Sequence, residues 1–161
     1  MLEIFLLTLV IMISFIVLLT NRRKKAAVFH QEAYSSLFKR HILITGENYS
    51  LEFPVILSNN SSASIIKKSL PMTGKINKWS EGIYFSTNIT IPRSNDRSSD
   101  IVVGDVAYWP ENKAICIFYD TRPTAENEGS KAESSVIKIG HTSAKPELLK
   151  KIAIGDKIEI L

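Results

Sequence analysis

The sequence predicts a mainly β fold, a small barrel with short helical caps, carried behind an apolar N-terminal helix. Three observations lead there. Residues 104–119 (GDVAYWPENKAICIFY) read as a β-hairpin whose return strand, Ala114-Ile115-Cys116-Ile117-Phe118-Tyr119, is apolar at every position. From His41 onward, short strand-like runs alternate with turn residues and are interrupted by only two short helical stretches. Residues 4–20 carry no charge at all. A strand apolar on both faces is usually covered on both faces. The return strand is therefore expected to be an inner stave, one face filling the barrel and the other lying under a helix or loop.

The N-terminal run is Leu, Ile, Val, Phe and Met, broken only by Thr8, Ser14 and Thr20. As a helix, such a run of about 17 residues spans about 26 Å, close to the lower limit for a bilayer core. No Lys or Arg precedes it, whereas Arg22-Arg23-Lys24-Lys25 follows it. A cleaved signal peptide has the opposite flanks, so residues 1–21 are expected to form an uncleaved single-pass transmembrane anchor. The cationic collar places the C-terminal side in the cytoplasm by the positive-inside rule. Cys116, the sole cysteine, makes no intrachain disulfide and so requires no oxidising compartment. Four N-x-S/T triplets, at Asn48, Asn59, Asn60 and Asn88, point outward instead; in an Asn- and Ser-rich chain they arise readily by chance.

The chain has 20 basic and 16 acidic residues. Without the collar and Glu3, 16 face 15, so the remainder is nearly neutral. That excludes a nucleic-acid face, which needs cations clustered on the domain itself. The collar suits membrane lipid, where a cation near anionic headgroups contributes about 1 kcal/mol.

Residues 22–40 comprise the collar and a juxtamembrane stretch without Pro or Gly, expected to be helical. The domain is expected over 41–161. Ile42-Leu43-Ile44, a Gly46-Glu47-Asn48 turn and the alternation of Tyr49, Leu51, Phe53, Val55 and Leu57 predict a first hairpin. Pro54 marks an edge or a bulge. Ser58-Asn59-Asn60-Ser61 offers caps for a helix over 63–70 that Pro71 stops. Strands are expected over 73–78, from Ile83 toward Ile89 and Ile91, over 136–140 and over 157–161, with a helical turn over 146–151. Residues 92–100 and 120–135 are long polar loops. Within the central hairpin, Pro110-Glu111-Asn112-Lys113 supplies the reversal, with Asn112 suited to a left-handed conformation. Val102-Val103-Gly104-Asp105 and Ala153-Ile154-Gly155-Asp156 place Gly-Asp before a strand twice, which reads as repeated turn chemistry.

Trp79, Gly82-Ile83-Tyr84-Phe85-Ser86-Thr87, Gly104 to Pro110, Lys113 to Tyr119 and Val136 to Gly140, in this order, resemble a family of small prokaryotic cyclophilin-like proteins. The resemblance covers 41–161. It implies a closed eight-stranded barrel with two capping helices. Cyclophilins isomerise X-Pro bonds with an arginine that holds the twisted amide, a nearby glutamine and an apolar proline pocket. The region around 83–87 has no such Arg and no Gln-Gly-Gly-Asp, its nearest cations being Lys75 and Lys78. The resemblance therefore implies the fold more firmly than catalysis.

No other catalytic motif is present. His30, His41 and His141 have no metal-ligand spacing, no Gly-rich phosphate loop or nucleophile elbow occurs, and Cys116 sits within the apolar strand. No metal site and no cofactor is expected. The aromatic residues concentrated near strand ends are the remaining signal. Trp79, Glu81, Tyr84, Phe118 and Tyr119 are expected to border a ligand-binding cleft, with Arg122 on the long loop as a polar contact. The resulting expectation is a membrane-anchored, noncatalytic binder of a peptide or small ligand. The alternatives are a weak or divergent prolyl isomerase acting on membrane-proximal proteins, and a structural subunit of a membrane complex.

Overall fold

The structure, a computed structural model, describes residues 12–14, 16–26, 38–92, 97–120 and 135–161. The beginning of the expected anchor, the juxtamembrane stretch 27–37 and most of the second long loop, including Arg122, lie outside the described residues. The chain divides into two compact units, Met1–Leu37 and Phe38–Leu161.

In the first unit, residues 12–14 and 16–26 are helical. Met12, Ile13, Ile16, Val17, Leu18 and Leu19 point in all directions around the helix and are 40–58% exposed. Among the described residues no helix is long and apolar enough to cross a membrane; residues 1–11, where the expected span begins, are not among them.

Among the described residues the second unit has ten strands: β1 Lys39–Thr45, β2 Ser50–Leu57, β3 Met72–Lys75, β4 Asn77–Trp79, β5 Gly82–Ser86, β6 Arg97–Ser98, β7 Asp105–Trp109, β8 Ala114–Phe118, β9 Val136–Thr142 and β10 Lys157–Ile160. They form one antiparallel sheet in the order β3-β10-β1-β2-β9-β7-β8-β5-β4, with β6 beside β9. The two ends of this order are consecutive in the chain. Residues 72–79 pair with β10 through β3, then with β5 through β4. Ile76, at the switch, bonds the chain before β10, its N–H to Asp156 O at 2.9 Å and its C=O to Gly155 N at 2.8 Å. Taking β3 and β4 as one bent stave and setting β6 aside, eight staves make a nearly closed barrel.

The alternation in β2 places Phe53, Val55 and Leu57 in the interior. They join Ile42, Ile44, Ile83, Phe85, Val106, Tyr108, Ile115, Ile117, Ile137, Ile139, Ile158 and Ile160 in the core. β8 is buried at all five positions and paired on both sides, by β7 and β5. Its two faces serve different clusters, Ile115 and Ile117 the barrel core, Cys116 and Phe118 a smaller outer one.

Helix α1 (Ser61–Lys68) follows β2 and α2 (Pro146–Leu149) follows β9. Because β2 and β9 are antiparallel, the helices sit at opposite barrel ends. Asn60 caps α1 by accepting from Ala63 N (2.7 Å) while its amide donates to Lys138 O (2.9 Å), so one side chain starts the helix and ties it to β9. Ala63 and Ile66 turn into the core.

Several local expectations change. β5 stops at Ser86 rather than running on toward Ile89 and Ile91; Thr87 still bonds Lys113 O through its N–H and hydroxyl, and the hydroxyl accepts from Ile89 N, which turns the chain away. The first polar loop contains β6, so part of it pairs with β9. In the central turn the left-handed residue is Lys113 (φ 47°), not Asn112. The two Gly-Asp turns do share their chemistry. Gly104 and Gly155 have φ 89° and 92°. Asp105 accepts from Val102 N at 3.1 Å, and Asp156 from Ala153 N at 2.8 Å. A left-handed glycine and an Asp that caps its own turn recur together.

Candidate functional site

The expected site residues divide between the two faces of the sheet. On the outer face, cross-strand pairing makes two rows, Trp79–Gly82–Phe118 and Tyr84–Cys116–Ala107. Small residues occupy the middle of each row, which leaves room for large rings to lean over them. A Cβ on Gly82 would meet the Trp79 ring at 3.0 Å, so the missing side chain is what lets the indole lie across β5 and reach Phe118. Trp79 and Phe118 stand edge-on, with centroids 5.4 Å apart. Trp79 and Tyr84 are tilted at 5.3 Å, and Tyr84 and Trp109 edge-on at 5.9 Å. These separations are favourable for aromatic pairs. Phe118 is wholly buried beneath this group, while Trp79, Tyr84 and Trp109 stay partly open to solvent. Phe85 and Tyr108, by contrast, are fully buried inside the barrel. Trp109 thus joins the expected set. The signal for it was its place at the end of an otherwise buried strand.

Tyr119 departs from Phe118. As the next residue it faces the other way, joins the barrel core, and donates its hydroxyl to Trp79 O at 2.8 Å. Lys78 and Lys150 each place Nζ 5.8 Å from its ring centroid. Lys78 is itself held by Lys150 O and Ile152 O. Burial raises the Tyr119 phenol above its ordinary pKa; Lys150 opposes that shift, and Glu81 and Asp120 add to it. Glu81 lies in the β4–β5 turn, and its carbonyl accepts from the N–H groups of Tyr119 and Asp120. It joins the neighbourhood through its backbone.

A second feature has no counterpart in the sequence reading. An open groove of about 430 Å³ runs over β2, β7 and β9, lined chiefly by Pro54, Ile56, Leu57, Lys138, Gly140 and His141. Beneath one end lies Asp105, its side chain only 8% exposed. Lys138 Nζ is 2.8 Å from Asp105 Oδ2, and His141 Nδ1 is 3.6 Å from Oδ1. None of the expected site residues lines this groove. Among the described residues no group of His, Cys, Asp and Glu is arranged to hold a metal ion.

A family model described as cyclophilin-like matches residues 40–161. Among solved structures, the chain is similar to the hypothetical protein AF2241 from Archaeoglobus fulgidus, determined in solution. The two are 28% identical, with a TM-score of 0.56, over 76% of this chain and 94% of that one. No protein with a curated description matches.

Proposed function

The chain belongs to the cyclophilin-like family, and on that premise we propose that its barrel is a noncatalytic binding module that holds a peptide segment or small ligand on its outer aromatic face. The observation that carries this reading is the run of contacts linking Trp79, Tyr84 and Trp109, three partly open rings, with the buried Phe118 edge-on against Trp79 at one end. Large rings held over small residues present apolar area at little entropic cost, which suits an apolar side chain or a proline ring. Isomerisation asks for more, since the barrier is about 18–20 kcal/mol and a cation must stabilise the twisted amide. Lys138, opposite Ala107 at the end of the Tyr84 row, pairs with Asp105 at 2.8 Å. Lys78 bonds two carbonyls, and Arg97 pairs with Glu111 at 2.6 Å.

The proposal includes a tether. A helix apolar on every side has no stable place in water, and the four-cation collar marks a cytoplasmic membrane edge. The module then works at the cytoplasmic surface of a membrane.

Residues 38–161 and a proline-containing tetrapeptide test the site. Tryptophan fluorescence should titrate to saturation, and Tyr84→Ala should abolish the response. The rate of prolyl isomerisation should match the uncatalysed blank; acceleration would make the module an isomerase. Flotation of the full chain with anionic vesicles, and none of 38–161, is expected for the tether.

A further inference from the structure

We propose that the groove over β2, β7 and β9 is a second binding site, for a small carboxylate with an apolar body. Its volume of about 430 Å³ falls within the range of about 300–1,000 Å³ typical of small-molecule sites. One end is apolar. Pro54 and Ile56 project outward from β2, and Ile56 leaves half its surface in solvent although Val55 and Leu57 on either side are buried. Gly140 lines the groove with backbone alone, its cross-strand partners Leu57 and Val106 both facing the core. A Cβ there would come within 2.7 Å of Ile56 O, so the close approach of β2 requires its absence.

The other end offers donors. Asp105 is buried beneath it, with Oδ2 already engaged by Lys138 and by Val102 N. Lys138 and His141 are 38% and 58% exposed, so their remaining N–H capacity turns to the groove. Lys39, on β1, is the cross-strand partner of Ile56 and lies on the same face of the sheet, beyond Ile56 from His141. Lys138 lines the groove and Lys39 stands on the strand beyond Ile56, two cationic residues against one buried carboxylate. A ligand complementary to this end accepts hydrogen bonds and carries negative charge. Complementarity to the other end requires a hydrocarbon body. An uncharged hydrocarbon would leave Lys138 facing apolar surface, and a purely polar anion would leave Ile56 uncovered. The same chemistry arises in a free short-chain acid and in the terminal carboxylate of a peptide ending in an apolar residue.

The test is calorimetric titration of the full chain in nanodiscs, with empty nanodiscs as the blank and sodium hexanoate as the probe. Hexanoate should bind saturably, and acetate and hexanol each about tenfold or more weaker, as loss of the apolar body or of the charge would demand. Ile56→Asp, a change at an exposed position, should weaken hexanoate by a similar factor and leave thermal unfolding unchanged. His141→Gln should weaken it as well. N-acetyl-leucine binding tighter than hexanoate would assign the site to a chain terminus, and the reverse to a free acid. Absence of saturation, equal binding of hexanol and hexanoate, or indifference to Ile56→Asp would overturn the proposal.

Discussion

Lys138 and His141 are three residues apart on β9 yet face the same side of the sheet. In a regular strand that spacing sends two side chains to opposite faces. Here Asp105 pairs with His141 and Val106 with Gly140, but Ala107 pairs with Lys138, so Ile139 is an extra residue. The bulge keeps Ile139 in the core and brings Lys138 back to the outer face, where it meets Asp105 at 2.8 Å.

The first prediction follows from that contact. Asp105→Asn should retain the turn contact to Val102 N while removing the charge that faces Lys138. With Lys138 partly in solvent, the loss should be about 1–3 kcal/mol. Urea unfolding of 38–161 measures it, and the loss should shrink in a Lys138→Met background. Equal losses in both backgrounds would deny the coupling.

The paired glycine turns provide an internal control. Both glycines have positive φ, so an alanine at either position is strained by roughly 1–2 kcal/mol. Around Gly155 nothing lies within 4 Å of the added Cβ, whereas at Gly104 it would come 2.6 Å from Thr142 O and 2.5 Å from the His141 ring. Gly104→Ala should therefore lower the midpoint of thermal unfolding well beyond Gly155→Ala. Equal shifts would mean that the surroundings of Gly104 yield freely.

The two covered faces of β8 can be probed separately. Ile117→Ala opens a cavity inside the barrel and should cost about 2–5 kcal/mol; Phe118→Ala opens one beneath Trp79 and should cost about 3–5 kcal/mol. A negligible cost for Phe118→Ala, measured by denaturant unfolding, would show that the outer cluster does not pack.

Alkaline unfolding should report Tyr49 and Tyr119. Both phenols lie above the ordinary value of 10.0. For Tyr49 the causes are burial, then its hydrogen bond to Asp156, with Ala153 N opposing. A group whose pKa is raised by folding contributes stability below its unfolded value, and loses it as pH rises through the folded value. Stability should thus fall on passing above pH 10, and Tyr49→Phe should flatten part of that fall. An unchanged alkaline limb would remove Tyr49 from the account.

The barrel was legible because the signals that predict it are local. The unbroken apolar run of β8, the alternation of β2 and the Asn60 cap each follow from neighbouring residues. The placement of the expected site residues was legible only in part, because faces depend on pairing. Trp79, Tyr84 and Phe118 share the outer face, whereas Tyr119, next after Phe118, faces the core, as the alternation of a strand requires. The Asp105 groove was hidden for a sharper reason. Period-two reasoning puts Lys138 and His141 on opposite faces, and a bulge that shows only in the register of β7 against β9 reverses this. A closed barrel was expected, but the device that closes it was hidden, since nothing in residues 72–79 announces that Ile76 changes partners.

The central claim is that the open rings of the outer face receive a ligand. Its most direct test is nuclear magnetic resonance of ¹⁵N-labelled 38–161 titrated with the proline-containing tetrapeptide. The indole N–H signals of Trp79 and Trp109 should move together and saturate, while the amides of β1 and β10, away from that face, stay in place. Stationary indole signals at saturating peptide, or shifts centred on β1 and β10 instead, would contradict it.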